Sequence, residues 1–592
     1  MSLSKLGLAS SLDLALLAPK SYHDYRLKNR IDDLNELFLD VEIEALQQLP
    51  KVTKAIGFAH NLAREVELLF FQFATYHKKS FYPGARLYVA GRGKFFGKLQ
   101  ILQPKIVASY KVGRIFAQYD VKMRGDLFEK IKEQHLTLDR LLSEGLPEDV
   151  AKALLTIHYP DETFFKGFKR EGGFFGIYLE ALKFTEAFRY LKGLKNKRIR
   201  LPALRSCKKS LDPFIENLPF LLTKDQKKAL EDIAADLSRQ VAAKRVVVGD
   251  VGSGKSVVMF GAAYLAYPNR SILMAPTTIL AQQLYEEARR LLPKEIEVGL
   301  VVSGSKEDLS RYHLLVGTHA LLYQDLPEAC LVMVDEQHRF GTEQRERLKK
   351  LVQKKDGAPH FLQFSATPIP RTKALMDSAL VDFSFIKQTP FKKDITTKVI
   401  SKEDFKELLY HIKQEIAQGH QVLIVYPLVE ESENYGYKSL EEAAYFWQRY
   451  FDGVYITHGK DKEKEEVLKG FRDKGKILLA TTVVEVGISL PRLTTVVIVG
   501  AENLGLATLH QLRGRVSRTG LKGYCFLYTN DKSNERLQEF SKITSGFEIA
   551  ELDLKFRKSG DILSGKEQSG QAFKWLNMAE DRAIVERVRG LI

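Results

Sequence analysis

Cysteine is scarce in this chain, and what there is lies scattered. Cys207, Cys330 and Cys525 stand far apart, with no C-x-x-C pair among them. That excludes a disulfide framework and a zinc site of ordinary ligand spacing, and it fits a reducing cytoplasm. Long apolar runs are missing as well: none reaches membrane-spanning length, so no transmembrane segment is expected. The apolar patch from Leu12 to Leu17 is interrupted by Asp13 and has no basic stretch ahead of it, so it does not read as a signal peptide.

Length and positive charge, by contrast, are plentiful. A chain of 592 residues is too long for one hydrophobic core, and roughly three to five domains are expected. With 45% hydrophobic and 28% charged residues, the composition is that of a folded soluble protein rather than a disordered one. The net charge of +16 points to a polyanionic partner, either nucleic acid or an acidic membrane surface, although excess lysine also serves solubility alone.

Residues 1–38 mix short apolar periodic stretches with a polar aromatic turn, Tyr22 to Arg26, and read as a helical lead-in. From 39 to 110 the pattern becomes alternation, as in Phe38 to Ile43, Val66 to Phe71, Arg86 to Gly91 and Leu99 to Leu102, which suggests a small β-barrel of the oligonucleotide-binding type. Its last two strands are joined by Arg92-Gly93-Lys94-Phe95-Phe96-Gly97-Lys98. There Phe95 and Phe96 either stack on bases, each stacked base contributing about 1 to 3 kcal/mol, or face the barrel core. Residues 111–215 read as mainly helical and end in a basic run from Lys192 to Lys209, a solvated linker face or a set of phosphate contacts. Strand-like runs then alternate with helical ones through 216–390 and again through 391–530, before a final segment at 531–592. That alternation predicts an α/β architecture of two tandem parallel-sheet lobes.

Chemistry concentrates where those strands end. Val246, Val247 and Val248 feed a glycine-rich turn, Gly249 to Ser256, of the form G-x-x-x-x-G-K-S/T, followed by an apolar helix. Backbone N–H groups of Gly249, Gly252, Ser253 and Gly254 can wrap a polyphosphate, with Lys255 neutralising the outer phosphates and the Ser256 hydroxyl holding Mg²⁺. Leu331 to Val334 deliver Asp335 and Glu336 to a sheet edge, one carboxylate for Mg²⁺ and one to orient the attacking water. Ser365-Ala366-Thr367-Pro368 follows another strand and reads as a relay of small hydroxyls. In the second lobe, His510 to Arg518 place Arg515 and Arg518 as cis arginine fingers or as a salt-bridged turn.

Taken together these motifs resemble superfamily 2 helicases, and more narrowly the RecG family of branched-DNA helicases. The resemblance runs over nearly the whole chain and rests on Leu222-Thr223-x-x-Gln226, GDVGSGKS (249–256), Ala275 to Ala281, Val316 to Leu321, DEQHRFG (335–341), SATPIPRT (365–372), Tyr426 to Leu428, ATTVVEVG (480–487) and HQLRGRVSR (510–518). DEQHRFG with SATPIPRT is specific to the group that also holds the transcription-repair coupling factors. The resemblance implies two RecA-like lobes, adenine contact by Gln226 and a nucleotide contact at Gly487. It also implies DNA-binding or coupling roles for Thr277, Thr318, Ser365, Thr367 and Gln511. It further implies a barrel acting as a wedge through Phe95 and Phe96, and a C-terminal translocation hairpin with Arg536, Arg557 and Gln568. Ser489 stands where many relatives carry aspartate, and Arg557-Lys558-Ser559-Gly560 departs from the usual hairpin tail.

The activity implied is ATP- and Mg²⁺-dependent remodelling of stalled forks and Holliday junctions by a cytoplasmic monomer. Branched DNA and single-strand-binding protein are the implied partners, with no membrane involved. Against a transcription-repair coupling translocase stands the length of the chain, and against a primosomal helicase its lack of zinc-binding cysteines. An RNA remodeller remains the alternative from another class.

Overall fold

Alternating side chains between residues 37 and 106 curl into a closed barrel because each strand has one apolar face to bury. A computed structural model describes the chain except residues 1–2, 199, 303–307, 337–339, 353–356, 367–370, 391–393, 428–436, 460, 462, 482–489, 518–519 and 565–572; several side chains, including those of 557–564, are likewise not described. Two units divide the chain: Met1–Leu191 with Ala572–Asn577 and Ala583–Ile592, and Lys192–Gln571 with Met578–Arg582.

In the first unit, strands β1 (Ser21–Asp24), β2 (Leu37–Gln48), β3 (Thr53–Ala59), β4 (Arg64–Phe70), β5 (Arg86–Phe96), β6 (Lys98–Ile106) and β7 (Ile115–Gln118) follow one another. The barrel closes in the order β2-β3-β4-β6-β5. Its seams are antiparallel except β4–β6, where Val66 pairs with Leu99 in parallel. This is the topology of a five-stranded oligonucleotide-binding barrel. Leu39, Val41, Ile43, Val66, Leu68, Phe70, Val89 and Ile101 fill the interior. β1 and β7 form a separate antiparallel ribbon, so the segment read as a helical lead-in contributes a strand once β7 supplies its partner. Helices Gly125–His135, Glu148–His158 and Glu162–Glu171 follow the ribbon.

The second unit carries two parallel sheets. Strands β8 (Lys244–Gly249), β9 (Ser271–Met274), β10 (Val298–Val301), β11 (Leu314–Gly317), β12 (Leu331–Asp335), β13 (His360–Ser365) and β14 (Asp382–Ile386) make one, ordered β10-β11-β9-β12-β13-β8-β14. Strands β15 (Ile395–Ile400), β16 (Gln421–Tyr426), β17 (Val454–Thr457), β18 (Ile477–Thr481), β19 (Leu493–Val499) and β20 (Gly523–Tyr528) make the other, ordered β15-β20-β19-β16-β18-β17. Central strands such as β12 and β16 are buried along their whole length, which is why they read as unbroken apolar runs rather than alternation. Beyond β20 come helices Glu535–Lys542 and Gly546–Ser564. All three cysteines are buried free thiols; Cys207 and Cys330 nevertheless meet, Sγ to Sγ, at 3.8 Å in the core of the first lobe. Among the described residues no helix is long and apolar enough to cross a membrane.

Candidate active site and nucleic-acid interface

β8 delivers the phosphate loop to the edge of the first sheet, and helix Lys255–Ala266 begins directly after it. Two of its glycines answer to crowding. A Cβ on Gly249 would lie 2.5 Å from Ser253 Oγ, and one on Gly254, whose φ is +77°, would lie 2.3 Å from Gln226 Nε2. The loop therefore forms a cradle that only backbone can line, as a polyphosphate requires. Lys255 Nζ donates to the carbonyls of Gly249 (2.8 Å) and Asp250 (3.2 Å), which holds the ammonium at the mouth of the cradle. Ser256 hydrogen-bonds Glu287 of helix Thr278–Leu291, a carboxyl pushed above its usual range by burial.

Gln226, 2% exposed, sits three residues after Thr223 in the capping box of helix Lys224–Leu237. Its Oε1 accepts from Thr223 N at 2.8 Å, and its Nε2 donates to Ser253 O at 2.8 Å. The helix start is thereby tied to the phosphate loop.

Asp335 ends β12, and Glu336 turns out of the sheet with φ 51°. A non-glycine residue in the left-handed region costs on the order of 1–3 kcal/mol and persists only where its surroundings hold it. Two bonds do so: Glu336 N donates to Phe364 O at 2.9 Å, and Glu336 Oε1 accepts from Ala366 N at 2.5 Å. The link between the carboxylates and the 365–368 segment thus runs through a backbone N–H. The hydroxyl relay expected from sequence involves Thr367, which lies outside the described residues; Ser365 is buried at the end of β13.

Helix Leu506–Arg513 of the second lobe reaches this same loop. His510 Nε2 meets Asp250 Oδ1 at 2.5 Å, and a Cβ on Gly514 would fall 2.9 Å from Val251 Cβ. Arg515 follows Gly514 directly in the chain, so its backbone lies next to the phosphate loop. Arg518, Gly487, Ser489 and Gln568 lie outside the described residues, as does the side chain of Arg557. Arg536 anchors helix Glu535–Lys542 through the carbonyls of Leu504 (2.9 Å) and Glu502 (2.5 Å).

Thr277 and Thr318 both act as N-caps, accepting from Leu280 N and Ala320 N. They line one cleft of about 530 Å³ with Pro276, His319, Gln324 and, from the second lobe, Glu465. Two chain turns with threonine side chains thus open on one cleft. Gln511 lies on the 506–513 helix, half-buried.

On the first unit, β5 and β6 run past the barrel to a tip at Gly97, φ +69°. Phe95 is 51% exposed and Phe96 74%, so neither ring belongs to the core. Of the basic run, Arg198 is paired with Asp382 at 2.6 Å and Lys209 lies over the rings of Tyr264 and Tyr267. These two members are structural.

Asp250, Glu287, His510 and Arg513 join the site beyond the residues expected from sequence. For His510 and Arg513 the signal was present in the HQLRGRVSR motif; for Glu287, an acid on an ordinary amphipathic helix, none was.

Two family models match the lobes: DEAD/DEAH box helicase over residues 223–375 and helicase conserved C-terminal domain over 402–520. The chain is 45% identical to the ATP-dependent DNA helicase RecG of Helicobacter pylori over 99% of this chain and 96% of that one. It is 33% identical to the RecG of Aquifex aeolicus over 99% of this chain and 81% of that one. A solved structure of RecG bound to a three-way DNA junction matches with TM-score 0.57 and 28% identity, over 99% of this chain and 83% of that one. At 45% identity over 99% of its length, and with the 510–514 segment meeting the phosphate loop, the chain belongs to the RecG family of ATP-dependent DNA helicases.

Proposed function

We propose that this helicase translocates on double-stranded DNA and remodels branched DNA, reversing stalled forks and migrating Holliday junctions in recombination and repair. The observation that carries the reading is the exposed Phe95–Phe96 tip on a nucleic-acid-type barrel, in the same chain as a two-lobed motor. Exposed rings beside lysines suit bases splayed from a junction, while the cleft lined by Thr277 and Thr318 suits a duplex backbone.

Nucleotide hydrolysis is read from the residues already placed. Lys255 and the loop N–H groups hold the phosphates, Glu336 orients water, and Arg515 with Arg518 offsets charge developing at the γ-phosphate. Ser256 and Asp335 would hold Mg²⁺; a hydroxyl that donates to Glu287 keeps its lone pairs for a cation. The metal, when bound, neutralises charge on the β- and γ-phosphates. Arg557 and Gln568 would carry the DNA-side movement of the C-terminal helices. The protein works as a cytoplasmic monomer, with single-strand-binding protein as a partner.

The test compares ATPase stimulation by three- and four-way junctions, linear duplex and structured RNA at one stated salt concentration, since phosphate contacts are salt-sensitive. Junction DNA should stimulate most, and a preference for RNA would overturn the reading. Lys255→Ala should abolish hydrolysis while leaving the thermal melt unchanged.

A further inference from the structure

One carboxylate in the phosphate loop grips three separate parts of the motor. Asp250 Oδ1 accepts from Val251 N at 2.7 Å and meets His510 Nε2 at 2.5 Å, while Oδ2 accepts from Gly546 N at 3.1 Å. Val251 belongs to the loop itself, His510 to the second lobe, and Gly546 opens the C-terminal helix Gly546–Ser564.

The chemistry of the neighbours fixes how these bonds run. Arg513 Nη2 lies 3.2 Å from His510 Nδ1, and a guanidinium can only donate, so Nδ1 is the acceptor and Nε2–H donates to Asp250. Arg513 also donates to the carbonyls of Phe540 (3.3 Å) and Thr544 (3.5 Å), and its guanidinium covers the Phe540 ring. A second path to the same helix is apolar: Phe547 packs on Val246 and Val248 of β8 and edge-on against Phe385. Both oxygens of residue 250 must therefore accept. An asparagine of the same length offers one acceptor and turns a donor toward the other N–H, so only aspartate serves both partners.

From this geometry we infer that Asp250 is the joint through which the state of the phosphate loop is passed to the C-terminal helix, directly through Gly546 and indirectly through His510 and Arg513. It is a positioning residue, and the inference rests on the translocase reading above only for what the helix then moves. Nucleotide binding shifts the loop backbone, and a carboxylate bonded to its own neighbour's N–H shifts with it. The helix start follows because its first N–H and Phe547 are both held by β8 and the loop.

The test isolates single bonds. Gly546→Pro removes the N–H at the first helical position, where proline is well tolerated, and Gly546→Ala adds a Cβ yet keeps the N–H. Each is combined with Glu551→Cys, an exposed helix position, labelled with an environment-sensitive fluorophore, and titrated with ADP and a non-hydrolysable ATP analogue without DNA. In the parent and in Gly546→Ala the analogue should change the signal. In Gly546→Pro and Asp250→Asn the amplitude at saturation should fall by about fivefold or more, a coupling loss of ordinary allosteric size. Fork unwinding per ATP hydrolysed should fall in step, with melting temperatures unchanged. An amplitude in Gly546→Pro equal to that in Gly546→Ala overturns the joint. Because the fluorescence arm uses no DNA, that result is distinct from failure of the parent protein to unwind forks, which would overturn the translocase reading instead.

Discussion

Gly514→Ala should slow ATP turnover without unfolding the protein, because of a contact made by no side chain of its own. Gly514 caps helix Leu506–Arg513 in an ordinary right-handed conformation, φ −66°, so alanine meets no backbone objection. The added methyl instead meets Val251, its Cβ at 2.9 Å and its two Cγ atoms at 3.1 and 3.2 Å. Overpacking of this kind costs about 1 to 3 kcal/mol. The cost falls on states in which the second lobe lies against the phosphate loop, the states that bring Arg515 up. If turnover passes through them, 1 to 3 kcal/mol corresponds to about 5- to 150-fold in kcat. The assay is steady-state ATP hydrolysis at saturating junction DNA, with a melt to show that the fold persists. Val251→Gly supplies the complement, since moving the glycine across the contact removes the three nearest atoms. The double variant should recover much of the loss, and the cycle should show an interaction energy well beyond additivity. Wild-type turnover in Gly514→Ala alone would mean that the working cycle never brings these segments so close, and the reading of Arg515 as a finger would fall with it.

Two further outcomes follow from the first unit. Phe95→Ala with Phe96→Ala should leave ATPase and the melt intact, because both rings are largely exposed. Fork unwinding should weaken by the stacking lost, about 1 to 3 kcal/mol per base, and unchanged unwinding would remove the tip from the interface. His158 is fully enclosed, accepting a hydrogen bond from the Tyr119 hydroxyl at Nδ1 and donating from Nε2 to the Ala15 carbonyl. Burial holds it neutral, its pKa pushed down to about 3 from 6.5. Below pH 6.5 the unfolded chain takes up a proton that the folded one refuses, so stability is lost as pH falls from 6.5 toward 3. The loss at pH 5 is roughly 2 kcal/mol. Urea melts of the wild type and His158→Gln at pH 7 and pH 5 read this directly; equal pH dependence in the two would locate the acid lability elsewhere.

What could be read from sequence was whatever is local. The phosphate loop, β12 with its two carboxylates and the central strands of both sheets announce themselves, since a strand buried on both faces has no choice but to be apolar. β14 and β15 do not: they are edge strands, half-exposed along much of their length, and DFSFI or ITTKVI reads equally well as a loop. The Phe95–Phe96 ambiguity had a similar origin. β5 runs 11 residues, of which Val89 is buried in the core and Leu87 packs against it, and period-2 counting cannot show where a strand outruns its barrel. The shared role of Asp250 is invisible in sequence for another reason. Its partners His510 and Gly546 lie 260 and 296 residues away, and no local pattern marks a carboxylate as shared between lobes.

Two carboxylates of the first lobe, Asp250 and Glu336, each accept from the backbone N–H of another segment, Gly546 in one case and Ala366 in the other. A bond to an amide proton is directional and short-ranged, so it reports position, whereas an ion pair reports only charge. Both bonds are part-buried, and salt screens such contacts less than it screens exposed charge. DNA binding by a chain of net charge +16 is the opposite case, a sum of exposed phosphate contacts that salt weakens steeply. The molecule thus separates its two tasks by the kind of interaction used. Affinity for the polyanion resides in screened surface charge, and the passage of nucleotide state through the motor resides in part-buried hydrogen bonds. Added salt should therefore lower how often the motor engages DNA while leaving the work done per ATP, once engaged, nearly unchanged.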